Sequence, residues 1–211
     1  PLYHYLAEAF NITGPFSVPT PLFNIFEGGS HANNDLDFQE FLFVPSLTAS
    51  YTQKLAAGMV FYQAAKKSLL KDEVPIGVGD EGGLAVHNIN NEEALARMLE
   101  VAKATRLEIG KNAFFGIDAA ASQFYRDGYY YLKKLGQGLS PVDMKNMYGK
   151  LLKTCQVIYL EDAFAENDGA SWTLLVVNYE QRTEIVGDDL TTTNLVRMER
   201  AAAAQEITAI I

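Results

Sequence analysis

VIYLEDAF, residues 157–164, runs four strand-forming and mostly apolar residues straight into the acids Glu161 and Asp162. The same pattern occurs in FFGIDAA, where the apolar run ends at Asp118, and in EIVGDDL, where it ends at Asp188. Continuous apolar runs of this kind are typical of parallel strands that are buried on both faces. The acid that ends each of these strands therefore needs a common explanation.

Amphipathic helices are predicted between the strands. Ser140 followed by proline is a typical helix start, and helical spacing of apolar residues continues to Cys155. A second helix is predicted to begin at Asn90 with a capping box, a third over residues 50–70, and shorter ones after Trp172 and Asn194. Strand and helix alternate along the chain, which predicts an α/β fold built from βα units.

The three acids Asp118, Glu161 and Asp188 are predicted to converge, because the carboxyl ends of parallel strands meet at one edge of a sheet. Burying carboxylates together costs several kcal/mol per ion unless positive charge compensates them. A hard divalent cation with oxygen ligands would do so, and Mg²⁺ fits best, with Mn²⁺ as a substitute. The alternative is that each acid only caps the helix that follows it.

Composition excludes several other classes of protein. The 211 residues, 48% hydrophobic and 20% charged, predict one globular domain with a core of its own. The net charge of −9 argues against binding of nucleic acid or anionic membrane. The single cysteine, Cys155, permits neither an internal disulfide nor a thiolate zinc cluster and indicates a reducing, cytoplasmic compartment. No apolar run approaches the roughly 20 residues of a membrane span.

Two glycine-rich stretches carry further polar candidates. Residues 27–41, EGGSHANNDLDFQEF, contain His31, Gln39 and Glu40, and residues 78–86, VGDEGGLAV, contain Glu81. Paired glycines beside an acid allow the backbone to approach a ligand closely, although they also form ordinary turns. Each stretch alone is a weak signal, and a histidine such as His31 is more often structural than catalytic. The run FYRDGYYYL predicts a hairpin that turns at Asp-Gly.

Five motifs in this order resemble the enolase family: PLFNIFEGGSHANNDLDFQEF, GVGDEGGLA, IDAAASQFYRDGYYYL, YLEDAF and EIVGDDLTTTN. The resemblance covers essentially the whole chain. It implies an α/β fold of the enolase type, a modified TIM barrel with the order ββαα(βα)₆ that begins with two antiparallel strands. By the same resemblance, residues 1–211 are a partial C-terminal catalytic barrel domain of about six strands. The N-terminal capping domain, the last strands and the proton-abstracting lysine are then expected outside this sequence.

The resemblance also implies roles for the candidate residues. Asp118, Glu161 and Asp188 match the Mg²⁺ ligands of the family. Glu81 matches the catalytic acid that helps to expel the substrate's 3-hydroxyl, and Glu40 matches its partner carboxyl. His31 is expected to be catalytic and to contact the substrate phosphate. Gln39 and Glu40 are expected to bind substrate. One departure is Gln123, which stands where the family usually has glutamate.

The function implied by the resemblance is the Mg²⁺-dependent, reversible dehydration of 2-phosphoglycerate to phosphoenolpyruvate in the complete protein, with this part alone inactive. A cytoplasmic homodimer is expected by the same resemblance. One alternative is a non-catalytic enolase-like binding or structural protein, and another is one subunit of a split enolase.

Overall fold

The computed structural model describes all of residues 1–211. The strands are β1 (Phe23–Glu27), β2 (Glu40–Pro45), β3 (Ile76–Val78), β4 (Leu84–Val86), β5 (Ala113–Asp118), β6 (Tyr125–Arg126), β7 (Tyr129–Tyr131), β8 (Gly138–Leu139), β9 (Val157–Glu161), β10 (Glu184–Gly187) and β11 (Ala209–Ile210). The helices are α1 (Leu2–Ala9), α2 (Tyr51–Lys71), α3 (Asn91–Ala104), α4 (Pro141–Cys155), α5 (Gly169–Tyr179) and α6 (Leu195–Ala203), with a 3₁₀ turn at Ala121–Phe124. None of the helices combines the length and apolar content that a membrane span requires.

One eight-stranded sheet organises the chain, in the order β11-β10-β9-β5-β2-β1-β4-β3. Strands β1 and β2 are antiparallel, β2 is antiparallel to β5, and β5, β9, β10 and β11 are parallel to one another. Two helices, α2 and α3, separate the opening strand pair from β5, after which strand and helix alternate. This order confirms the predicted α/β fold of an incomplete enolase-type barrel. Its six contiguous strands are β1, β2, β5, β9, β10 and β11.

The predicted helix starts are confirmed at three positions. Ser50, Asn90 and Ser140 each accept a hydrogen bond from the backbone N–H three residues on, and each forms a complete capping box. Helix α6 begins as predicted after Asn194, whose side chain accepts from two backbone N–H groups. Helix α5 begins earlier than predicted, before Trp172, because the backbone carbonyl of Asp168 already accepts hydrogen bonds from residues 171 and 172.

Two further segments differ from the simplest interpretation of the sequence. The stretch 78–86 is not a loop throughout, since β3 and β4 form an antiparallel hairpin that leaves only residues 79–83 as the turn. The last apolar run forms a strand of only two residues, and Ile210 is 48% exposed because β11 lies at the sheet edge with one neighbour. The predicted hairpin at Asp127–Gly128 is present between β6 and β7.

The core lies between the sheet and its helices. Phe61 of α2 is fully buried and stacks on Phe43 of β2 with ring centroids 4.3 Å apart. The ring of Phe61 also meets the edge of Phe115 on β5. Trp172 is fully buried and donates to the carbonyl of Ala165, as expected of a core anchor of α5. These aromatic contacts fix the helices against the strands whose ends carry the candidate site.

Substitution of Phe61 by alanine is expected to lower the free energy of unfolding by about 3–5 kcal/mol, because it removes a buried ring between two strands and leaves a cavity. Urea unfolding followed by circular dichroism measures this change. The neighbouring Val60→Ala on the exposed side of α2 is the matched control, with an expected change of less than about 0.5 kcal/mol. Equal losses in the two variants would contradict the assigned packing.

Candidate functional site

Four acids lie at paired positions on neighbouring strands and so form one row across the sheet, hereafter the register row. Glu27 on β1 is paired with Glu40 on β2, Glu40 with Asp118 on β5, and Asp118 with Glu161 on β9. Glu40 begins its strand whereas the other three end theirs, because β2 runs antiparallel to both of its neighbours. A line of carboxyl groups therefore occupies one edge of the sheet, the edge where α/β proteins place their ligands.

A closed carboxyl cluster forms at one end of this row. Asp118, Glu161 and Asp162 each offer an oxygen within 4.8 Å of the others, and all three residues are buried. No lysine or arginine forms an ion pair with any of them. The predicted convergence of strand-end acids is thus observed for Asp118 and Glu161, with Asp162 as a further member.

Neutral hydrogen-bond donors orient this cluster. The carboxyl of Asp118 accepts from the side-chain amide of Gln39 and from the N–H of Ala120, both at 2.9 Å. Tyr159 donates its hydroxyl to Glu161 at 2.5 Å. These donors fix the carboxyl groups in place but bring no full positive charge, so the cluster remains electrostatically uncompensated.

The pKa values of the cluster reflect this lack of compensation. Burial raises the pKa of Asp118 well above its ordinary value, and the charges of Glu161 and Asp162 raise it further. Burial raises the pKa of Glu161 to about 7, against the opposing effect of the Tyr159 hydrogen bond. The pKa of Asp162 rises to about 6, again mainly through burial. Binding of a cation would stabilise the charged forms of these three carboxyl groups and is therefore favoured.

The donor set fits Mg²⁺. All the candidate ligand atoms are carboxylate oxygens, which hard divalent cations prefer, and no thiol or imidazole intrudes on the cluster. A bound cation would also neutralise the mutual repulsion that adds to burial in raising the three pKa values. The residues present can therefore hold the ion that the sequence predicts.

Asp188 lies at the edge of this cluster. It is half-buried, and its negative charge contributes to the raised pKa of Glu161. Its backbone N–H donates to one oxygen of Asp162 at 3.2 Å, and the N–H of Asp189 donates to the other at 2.8 Å. Asp162 thus holds the turn that carries Asp188. The assignment of Asp188 as a metal ligand stays a prediction.

A second group of candidates lies at the other end of the row. Glu40 is half-buried, and its carboxyl lies beside that of Glu81, whose side chain is 48% exposed. Burial, followed by the contact with Glu81 and the charges of Asp118 and Glu161, raises the pKa of Glu40 to about 9. Glu40 therefore favours its protonated form at neutral pH.

His31 completes this second group. Its Nδ1 lies 3.7 Å from Oε1 of Glu81 and 3.9 Å from Oε1 of Glu27, and it has no hydrogen-bond partner. The side-chain amide of Gln39 donates to Asp118 and accepts from the side chain of Gln123 at 2.7 Å. All seven predicted site residues consequently lie along this one edge or in the loops beside it.

Two residues of the site are absent from the sequence predictions. Asp162 directly follows Glu161, and the sequence gives it no predicted role beyond being the second of two adjacent acids. Glu27 ends β1 in the run FNIFE, the same pattern of apolar strand and final acid that marked the other three strands. That pattern was sufficient to find Glu27, although its fully buried side chain could not be foreseen.

A family comparison assigns the chain to a known group of proteins. The sequence model described as "Enolase, C-terminal TIM barrel domain" matches residues 15–211. The chain belongs to this family. The enolase C-terminal domain family is a family of enzymes whose members typically bind Mg²⁺, which agrees with the carboxyl cluster at the strand ends.

The stability of the metal-free protein is expected to fall as the pH rises from about 4 to about 7 through the cluster's contribution. The folded state binds more protons than the unfolded state in this window, because the pKa values of Glu161 and Asp162 are raised to about 7 and about 6. Glu161→Gln removes one titration and should flatten the dependence by on the order of 1–3 kcal/mol.

Urea unfolding of the wild type and of Glu161→Gln across this pH range, with and without Mg²⁺, measures the effect. Added Mg²⁺ should restore the wild type's stability at the upper end of the range. A difference between the two proteins that does not vary with pH would contradict the raised pKa of Glu161.

Asp118→Asn is expected to weaken Mg²⁺ binding by about tenfold or more, because it removes a charged oxygen from the closed cluster. Isothermal titration calorimetry measures the affinity. The same experiment on Asp162→Asn and Asp188→Asn shows which of the two contributes more. Asp127→Asn, in the exposed hairpin turn, is the matched control and should bind as the wild type does. Unchanged affinity in Asp118→Asn would exclude the cluster as the metal site.

Proposed function

We propose that the protein carrying this domain is a Mg²⁺-dependent lyase that reversibly dehydrates 2-phosphoglycerate to phosphoenolpyruvate. The observation that carries the proposal is the adjacency of two groups at one sheet edge. A closed carboxyl cluster suited to a cation lies next to an open pair of carboxyls that holds a proton. Membership of the enolase C-terminal domain family supports the same reaction class.

The metal end of the edge explains how an acidic site accepts an anionic substrate. Asp118 and Glu161 would hold Mg²⁺ together with Asp188, which follows the adjacent strand and whose charge acts on Glu161. Bound Mg²⁺ supplies the positive charge that neutralises the substrate carboxylate and the negative charge that develops beside it when the neighbouring proton leaves. Gln39 keeps the carboxyl of Asp118 in the required orientation through its amide hydrogen bond.

The other end of the edge supplies the proton that the leaving group needs. Loss of the 3-hydroxyl as water requires a proton from a carboxyl within hydrogen-bond reach. Glu81 is exposed enough to meet this hydroxyl, and Glu40 behind it remains protonated at neutral pH. A general base takes the proton from the carbon that bears the phosphate, and the electron pair left there forms the double bond as the carbon–oxygen bond breaks. The departing hydroxyl takes the proton from the carboxyl pair and leaves as water. In the reverse reaction, water adds to the double bond and gives one proton to the pair, and the base returns its proton to the carbon that bears the phosphate.

His31 is the candidate contact for the substrate phosphate. Its ring is 29% exposed and lies against Glu81, so it borders the open end of the site. A protonated imidazole at this position would offer a hydrogen bond and a positive charge to a phosphate oxygen. The family resemblance also supports a cytoplasmic homodimer as the working form of the protein.

Glu81→Gln is expected to lower kcat by roughly 10²–10⁴-fold, because it removes the carboxyl that meets the leaving hydroxyl. The ultraviolet absorbance of phosphoenolpyruvate formed from 2-phosphoglycerate measures the rate on the protein encoded by the gene. Glu40→Gln should reduce kcat in the same direction, and a chelator of Mg²⁺ should abolish activity in the wild type. Glu108→Gln, an exposed acid far from the site, is the control and should leave the rate unchanged.

Two results would refute the proposed function. One is a wild-type protein that forms no phosphoenolpyruvate in the presence of Mg²⁺. The other is preferential consumption of an acid that carries no phosphate, which would place the protein among dehydratases or racemases of a different substrate class.

A further inference from the structure

Glu27 is the one acid of the register row that has no role in the proposed reaction. It ends β1, and its side chain is fully buried. One carboxyl oxygen accepts from the N–H of Glu81 at 2.9 Å, and the other accepts from the N–H of Gly83 at 2.7 Å. Both oxygens are thus used by the backbone of the turn between β3 and β4.

The turn of residues 79–83, hereafter the acid loop, is folded around this carboxyl. Its ends are joined by a hydrogen bond from the N–H of Gly79 to the carbonyl of Gly83 at 2.9 Å. A Cβ at position 79 would overlap the carboxyl of Glu27. A Cβ at position 83 would lie 2.7 Å from Oδ1 of Asn24 and 2.8 Å from Cβ of Glu27. Glu27 alone therefore requires glycine at the first end of the acid loop, and Asn24 and Glu27 together require it at the second.

Glu81 lies in the middle of the acid loop, and its own N–H is one of the two bound groups. Its side chain extends from this fixed point to the carboxyl of Glu40. Glu27 and Glu40 are register partners on β1 and β2, so the anchor of the acid loop and the partner of Glu81 belong to one rigid strand pair. The separation of the two working carboxyls is therefore set through Glu27.

We propose that Glu27 is a positioning residue for the proposed dehydration, in that it holds the acid loop so that the carboxyl of Glu81 meets Glu40. The inference rests on the proposed function, since it assigns Glu81 as the group that acts on the leaving hydroxyl. Glu27 itself is fully buried, and its carboxyl binds the backbone of the acid loop while lying 3.9 Å from Nδ1 of His31.

The chemistry of the contact requires a carboxyl of this length. Two N–H donors converge on two oxygens, and a glutamine would present one oxygen and one NH₂ group to them. One backbone N–H would then face another donor and lose its partner, which weakens the hold on the acid loop. Aspartate is shorter by one methylene and cannot reach both donors at once.

Glu27→Gln is therefore expected to lower kcat by about tenfold or more, with KM and Mg²⁺ affinity within about twofold of the wild type. The matched control is Glu206→Gln, a second buried glutamate that packs against a glycine but lies away from the site. This control should keep the wild-type kcat. An active wild type whose Glu27→Gln variant retains its kcat would overturn the inference, whereas an inactive wild type would instead refute the proposed function.

A double-mutant cycle separates positioning from a general loss of structure. In a Glu81→Gln background, Glu27→Gln should reduce kcat by less than about twofold, because the group that it positions is already disabled. An equal reduction in both backgrounds would overturn the inference, since it would show that Glu27 acts independently of Glu81.

Amide hydrogen exchange measures directly how firmly Glu27 holds the acid loop, and it does not require an active protein. Glu27→Gln should accelerate exchange of the N–H groups of Glu81 and Gly83 and leave the exchange of β5 unchanged. Unchanged exchange in the acid loop would overturn the inference. If Glu27→Gln does not fold, Gly79→Ala, whose added Cβ would meet the carboxyl of Glu27 from the loop side, should show the same loss of kcat, and an unchanged kcat there would overturn the inference.

Discussion

The burial of several carboxyl groups in one register row, without a lysine or arginine partner, is the constraint on which this structure depends. Strand pairing places Glu27, Glu40, Asp118 and Glu161 side by side, and the backbone offers no freedom to separate them. Hydrogen bonds from neutral donors such as Gln39 and Tyr159 offset part of the free energy needed to bury these carboxyls. Protonation of some of the carboxyls, such as Glu40, offsets another part. A cation can replace those protons, and this exchange couples metal binding to pH and to stability.

One type of side chain serves different purposes along this row because its surroundings differ. Asp118 and Glu161 are buried against each other and have oxygens directed to a common point, which suits a metal ion. Glu40 is half-buried beside the exposed Glu81, which suits storage and delivery of a proton. Glu27 is fully buried and receives two backbone N–H groups, which suits an anchor. Burial and hydrogen-bond partners, rather than residue type, separate these tasks.

The opening of the sheet with two antiparallel strands has a direct consequence for the site. Because β2 runs opposite to its neighbours, its first residue and not its last lies at the functional edge. Glu40 therefore joins the row although it precedes its strand, and the loop that contains His31 and Gln39 crosses the same edge on its way from β1 to β2. An all-parallel arrangement would have carried Gln39 and Glu40 to the opposite end of the sheet.

The sequence alone determined the α/β class, the capped helices and the strands that end at Asp118 and Glu161, because these features depend on local periodicity and on side-chain contacts only three residues apart. The five motifs also identified the family, and the family match over residues 15–211 confirmed it. Only the tertiary structure showed that Asp162 joins the cluster while Asp188 lies at its edge, and that Glu27 anchors the acid loop. These features depend on pairing between residues far apart in the chain, whose register and burial no local pattern records.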